Sequence, residues 1–155
     1  MSTIESRIAD LGITLAEPPK PIASYVGFVK HNGMVFVSGQ IPLVDGMIMQ
    51  TGLLGDSVTL EEGQAAARIC AINILAQMKL ACDGDIERVA QCIRLGGYVA
   101  ATPDFGDHPQ VINGASDLMM DVLGDRGKHS RAAVGMASLP RNVSVEVDAI
   151  FAIKE

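Results

Sequence analysis

One arginine stands where the surrounding residues are apolar or small: Arg131, at the head of a strand-like run over 131–138, followed by Ala132, Ala133 and Gly135. A guanidinium presents a planar fork of N–H donors that engages a carboxylate through two bonds at once. The small neighbours leave space beside that fork, so the pattern predicts a binding position for an anion supplied from outside. The blander account is an edge-strand charge paired with Asp148, a surface contact worth about 0–1 kcal/mol. The acidic residues nearest to it in such a pattern are Glu146 and Asp148, on the strand-like run that follows. Alternation along 143–153 puts Val143, Val145, Val147 and Phe151 on one face and Ser144, Glu146, Asp148 and Ile150 on the other. If 131–138 and 143–153 form a hairpin around residues 139–142, an even loop brings Arg131 onto the face of Glu146 and Asp148. At about 3.3 Å per residue, Glu146 would then lie about 7–14 Å along the sheet, room for a small carboxylate and a water.

Other chemistry-bearing residues are weaker candidates. His129 lies two residues before Arg131, and an imidazole can donate or accept a proton, but a polar residue at a strand entry needs no catalytic role. Ser38 lacks the glycine pattern of a nucleophile elbow. Cys70, Cys82 and Cys92 are an odd set without CxxC spacing, which argues against disulfides and zinc, and they read as buried inert thiols. Asp83, Asp85 and Glu87 form a solvated turn rather than a calcium loop.

The elements that must position these residues follow from pattern. A short amphipathic helix is expected over 4–11, broken by the prolines of 17–21. Asn32-Gly33 separates two strand-like runs, and such a pair supplies the two positive-φ positions of a hairpin turn. A short strand is expected after Asp45-Gly46, over 47–49. Thr59 with Glu61 and Glu62 opens a long helix to Ala81, whose apolar residues recur at helical spacing. Residues 86–101 read as one extended run, with Gly96-Gly97 marking a bulge or a place where another backbone or a ligand comes close. Asp107, with Pro109 in the first turn, opens a second helix that runs to Gly124. The order β-β-(β)-α-β-α-β-β predicts an α+β fold, a mixed sheet with two helices on one face.

The chain has 155 residues, 48% hydrophobic and 19% charged, with a net charge of −6. A single domain over 1–155 is expected, with some of its apolar excess in subunit contacts. The charge balance provides no basic footprint for a polyanion, so nucleic-acid binding is disfavoured. The N-terminus reads as neither signal peptide nor anchor and no spanning run occurs, so no membrane partner and a cytoplasmic location are expected.

Three stretches carry a family resemblance: SGQIP at 38–42, Asn113 within NGASDL at 113–118, and R-x-x-V-x-x-x-x-L-P from Arg131, followed by V-E-V-D at 145–148. Together they resemble the YjgF or RidA family of reactive intermediate deaminases, over residues 23–153. The PDF element at 103–105 and HxRxAVG at 129–135 resemble a slightly longer branch with an N-terminal extension of about residues 1–22. The resemblance implies a bacillus-type chorismate mutase-like fold, a homotrimer with clefts between subunits, and hydrolysis of enamines and imines to 2-keto acids and ammonia, without cofactor or metal. It places Arg131 on the substrate carboxylate and Glu146 on the attacking water. Gly39 and Ala133 would line the pocket with backbone groups, Asn113 would shape it, and Tyr25 would close it from a neighbouring subunit. A non-catalytic carboxylate-binding or regulatory trimer is the alternative, and a ribonuclease or translation inhibitor ranks last.

Overall fold

The computed structural model describes residues 2–20 and 23–155. Helix α1 (Ile4–Asp10) opens under a capping box from Thr3 and Ser6 and buries Ile4 and Ile8 in the core. Residues 17–20 form neither helix nor strand, as the proline break predicts, while Pro21 lies outside the described residues. Strands β1 (Phe28–His31) and β2 (Met34–Gln40) form the expected hairpin, with φ of 50° at Asn32 and 72° at Gly33. Asp45-Gly46 turns a second, smaller ribbon, β3 (Leu43–Val44) with β4 (Met47–Ile48). The β3 half, directly after Pro42, is an addition to the strands expected from the sequence.

Helix α2 (Leu60–Ala81) starts at Thr59, whose side chain accepts from the Glu62 N–H while the Glu62 carboxylate accepts from the Thr59 N–H. After a short 3-10 turn come β5 (Val89–Ala100), α3 (His108–Leu123), β6 (Ser130–Met136) and β7 (Val145–Ile153). The main sheet has five strands in the order β1-β2-β7-β5-β6. Helices α2 and α3 pack on one of its faces, over the buried row Val145, Val147, Ala149 and Phe151 and the matching residues Leu95 and Val99 of β5.

The expected final hairpin does not form. Strand β5 lies between β6 and β7, antiparallel to β7 and parallel to β6. The physical reason is α3: a helix of that length between β5 and β6 carries the chain back across the sheet, so the two strands pair in parallel. The bulges of β5 also fall elsewhere than expected, at Val89/Gln91 and Cys92/Arg94. Gly96-Gly97 marks close approach instead, since a Cβ on Gly97 would sit 2.5 Å from Ile112 of α3.

Helices α2 and α3 meet at Gly114, where an added Cβ would collide with the backbone carbonyl of Gln64. Gln64 Nε2 also donates to the Gln110 carbonyl at 2.9 Å, fixing the crossing. Backbone cannot move aside as a side-chain tip can. Gly114→Ala should therefore destabilise the fold by about 1–3 kcal/mol despite alanine's better helix propensity, read as a lower urea midpoint.

Candidate active site

Edge strand β6 runs beside α3, and Arg131 points from one to the other. In register Arg131 stands opposite Leu95, whose side chain is fully buried under the helices, so Arg131 lies on the helix-covered face. Its NH1 donates to Asn113 Oδ1 at 2.8 Å and to Ser116 Oγ at 3.0 Å. Asn113 and Ser116 share one side of α3 because residues three apart are neighbours on a helix. Ser116 Oγ lies 2.8 Å from His129 Nε2, and His129 Nδ1 lies 2.6 Å from the Gly127 carbonyl. A ring nitrogen facing a carbonyl oxygen must carry the hydrogen, so Nδ1–H donates to Gly127 and, in the neutral ring, Nε2 accepts from the Ser116 hydroxyl. Both NH1 hydrogens of Arg131 are thereby committed to α3. Its Nε–H and NH2 group have no hydrogen-bond partner among the described residues, so one side of the fork is uncommitted, a geometry that could engage a carboxylate through two bonds. Ala133, two residues on along the same face, stands opposite Gly97.

Glu146 sits elsewhere. It pairs in register with Tyr98, and Asp148 with Gly96, on the face that the helices leave uncovered. An added Cβ on Gly39 of β2 would collide with the Glu146 carboxylate, so glycine is what lets that side chain lie over β2. The expectation that Arg131 shares a face with Glu146 and Asp148 is therefore overturned: with β5 inserted, odd positions of β6 align with odd positions of β7. Three residues along β7 and two strands across separate the two Cα atoms by about 14 Å, on opposite faces of the sheet. The alternative ion pair of Arg131 with Asp148 is excluded for the same reason, and Asp148 instead lies 4.0 Å from Arg94.

The uncovered face has its own electrostatics. Partial burial, and then the neighbouring Asp148 carboxylate, raise the Glu146 pKa above its ordinary value. The Tyr98 hydroxyl donates to Asp148 Oδ2 at 2.9 Å, and this bond is the main reason the Tyr98 pKa is raised. A carboxyl whose folded pKa exceeds its unfolded value stabilises the fold while protonated, and that contribution is lost as pH rises through the folded pKa. Glu146→Gln should therefore raise the urea midpoint relative to wild type at pH 7. The two midpoints should converge near pH 4, below the ordinary glutamate value of about 4.3.

Five of the six residues singled out in the sequence thus divide into two groups, with Tyr25 apart from both. Arg131, Asn113 and Ala133 lie along the β6–α3 seam. Glu146 and Gly39 lie on the uncovered face. Tyr25, 60% exposed, precedes β1 in the segment tied to β2 by Ser38, whose N–H bonds the Gly27 carbonyl and whose hydroxyl bonds the Val26 carbonyl. That bond commits the Ser38 hydroxyl hydrogen to a backbone carbonyl and not to a base. Ser116 was not singled out in the sequence, although the i, i+3 spacing with Asn113 was the available signal. The cysteines are free and buried, and burial pushes Cys92 up to about 12. Among the described residues no group of His, Cys, Asp or Glu side chains could hold a metal ion, and no helix is long and apolar enough to cross a membrane.

A mixed sheet backed on one face by two helices, with an arginine on its edge strand, defines an α+β protein of the chorismate mutase-like class. The model of the family described as "YjgF/chorismate mutase-like, putative endoribonuclease" matches residues 5–153, and the chain belongs to that family. It is 43% identical to Protein TCP17 of Trypanosoma cruzi over 95% of this chain and 92% of that protein. A crystal structure of an Agrobacterium tumefaciens protein of unknown function superposes with a TM-score of 0.92 at 49% identity, covering 97% of this chain and 92% of the other. More distant are a 2-iminobutanoate/2-iminopropanoate deaminase of Dermatophagoides farinae, 25% identical over 88% of this chain and 91% of that protein, and Escherichia coli TdcF with bound serine, 26% identical with a TM-score of 0.62, covering 90% and 94%.

Proposed function

We propose that this chain hydrolyses 2-imino acids and their enamine tautomers to 2-keto acids and ammonia, at clefts shared between copies of itself in a homotrimer. The observation that carries the reading is the Arg131 fork, anchored through NH1 and uncommitted at Nε and NH2. A 2-imino acid offers a carboxylate to that fork and, one bond away, an electrophilic carbon. Water adds to this carbon of the protonated imine as Glu146 takes its proton, giving a carbinolamine. Glu146 returns that proton to the nitrogen, and the C–N bond breaks as the hydroxyl hydrogen is lost to water, releasing the keto acid and ammonia. A carboxyl with a raised pKa serves both steps, since it is closer to the working pH as acid and as base. The enamine tautomer needs one prior protonation at carbon.

Because Arg131 and Glu146 lie on opposite faces of one chain, a single cleft must take them from two copies. The uncovered sheet face has the character of a subunit contact: Val29 and Phe36, paired in register, are 53% and 45% exposed on it. The D. farinae relative's deaminase name and the serine bound by TdcF agree with a small amino-acid-like ligand. The net charge of −6 is ill suited to the ribonuclease reading. The test generates 2-aminoacrylate or a longer imino acid with a dehydratase or an amino-acid oxidase and follows keto-acid release with and without the protein. Acceleration is the expected result; binding of 2-keto acids without acceleration would replace the enzyme by a carboxylate sensor.

A further inference from the structure

We infer that Ser116 and His129 are positioning residues, a hydrogen-bonded brace that sets the direction of the Arg131 fork and through it the affinity for the substrate carboxylate. The inference rests on the reading of Arg131 given above. An arginine on an edge strand has a long side chain with several rotamers, and only one orientation presents Nε and NH2 together to a ligand. Asn113 fixes one NH1 hydrogen and leaves the guanidinium free to turn about that bond. The second NH1 bond, to Ser116, removes the freedom.

Ser116 cannot hold its hydroxyl in place unaided, because serine inside a helix readily turns to bond a carbonyl of the preceding turn. His129 opposes that alternative by accepting the hydroxyl hydrogen at Nε2. Its ring is oriented in turn by the Gly127 carbonyl, just ahead of β6. The bonds run in one direction, from Arg131 N–H to Ser116 Oγ, from Ser116 O–H to His129 Nε2, and from His129 Nδ1–H to Gly127. They join the two elements that form the seam. Neither Ser116 nor His129 touches the ligand in this scheme.

The test combines calorimetric titration of 2-oxobutanoate with steady-state kinetics on an imino acid. Ser116→Ala should raise Kd and KM about tenfold, the loss of one bond to a charged group, with kcat within about twofold. Ser116→Thr, which keeps the hydroxyl, should recover most of the affinity. His129→Ala should weaken binding about three- to tenfold, and the double variant should be no worse than the weaker-binding single variant, because both act through one chain of bonds. Should Ser116→Ala fail to fold, His129→Gln serves as the second probe. If these variants bind within about twofold of wild type while Arg131→Ala loses binding, the brace is refuted and the carboxylate reading stands. Equal losses in kcat and kcat/KM would also overturn the brace, since they would assign Ser116 or His129 to the reacting atoms. If Arg131→Ala itself changes nothing, the underlying reading fails.

Discussion

Arg131→Ala should lower kcat/KM for a short 2-imino acid by about 10²- to 10³-fold. The loss is that of a bidentate, charge-assisted contact. Hydrogen bonds to charged groups contribute about 1.5–3 kcal/mol each, so two of them in a partly solvated site amount to about 3–4 kcal/mol, and each 1.36 kcal/mol is about tenfold in rate. Arg131→Lys should recover little, because an ammonium supplies charge without the planar pair of donors and, with Asn113 and Ser116 satisfied, has a single N–H left for a carboxylate. The fold should tolerate both changes. Arg131 is half-buried on an edge strand, and the Asn113 and Ser116 groups it leaves are also only half-buried, within reach of water. Keto-acid release measured on a variant with an unchanged melting curve checks the prediction. Retained activity would return Arg131 to the role of an ordinary surface cation.

Legibility in the sequence followed the range of the interactions. The Asn32-Gly33 hairpin, the Thr59 capping box and the start of α3 at His108 are local, although Asp107 makes no side-chain cap bond there and Pro109 in the first turn is the signal that holds. The pairing of β6 is not local. Residues 139–142 present a proline and two positive-φ residues, Arg141 and Asn142, and so look like a hairpin turn. In the fold they lead instead to a contact of Val143 with Thr51, while β6 pairs with a strand that precedes α3. The information was present in a different form. A long helix between two strands predicts their parallel adjacency, and that inference competes with, and here overrides, the apparent turn. The same misplacement put Glu146 beside Arg131, because a strand inserted between two others changes which positions share a face. The anchoring of Arg131 was legible only in part: Asn113 was visible as a motif residue, whereas Ser116 becomes meaningful once α3 is seen to lie along β6.

Mixing two inactive variants should restore activity. If a cleft takes Arg131 from one copy and Glu146 from the next, Arg131→Ala and Glu146→Gln chains each fail as pure trimers. A trimer containing both has clefts in which an intact arginine faces an intact glutamate. With random assembly from equal amounts, a cleft is complete when its arginine donor is a Glu146→Gln chain and its glutamate donor an Arg131→Ala chain. That holds for about one cleft in four, so about a quarter of wild-type activity should return after the two chains are denatured and refolded together. Simple mixing without subunit exchange should restore nothing, which separates complementation from residual activity of either variant. The alternative, in which both residues serve one cleft from a single chain, predicts no recovery at any ratio. It would need a substrate to span about 14 Å and pass through the sheet. A recovery of zero after co-refolding, with trimers present by light scattering, would therefore refute the shared cleft, whereas a Glu146→Gln trimer active on its own would remove Glu146 from the chemistry and leave Arg131 as the anchor of a site whose water is activated by another group.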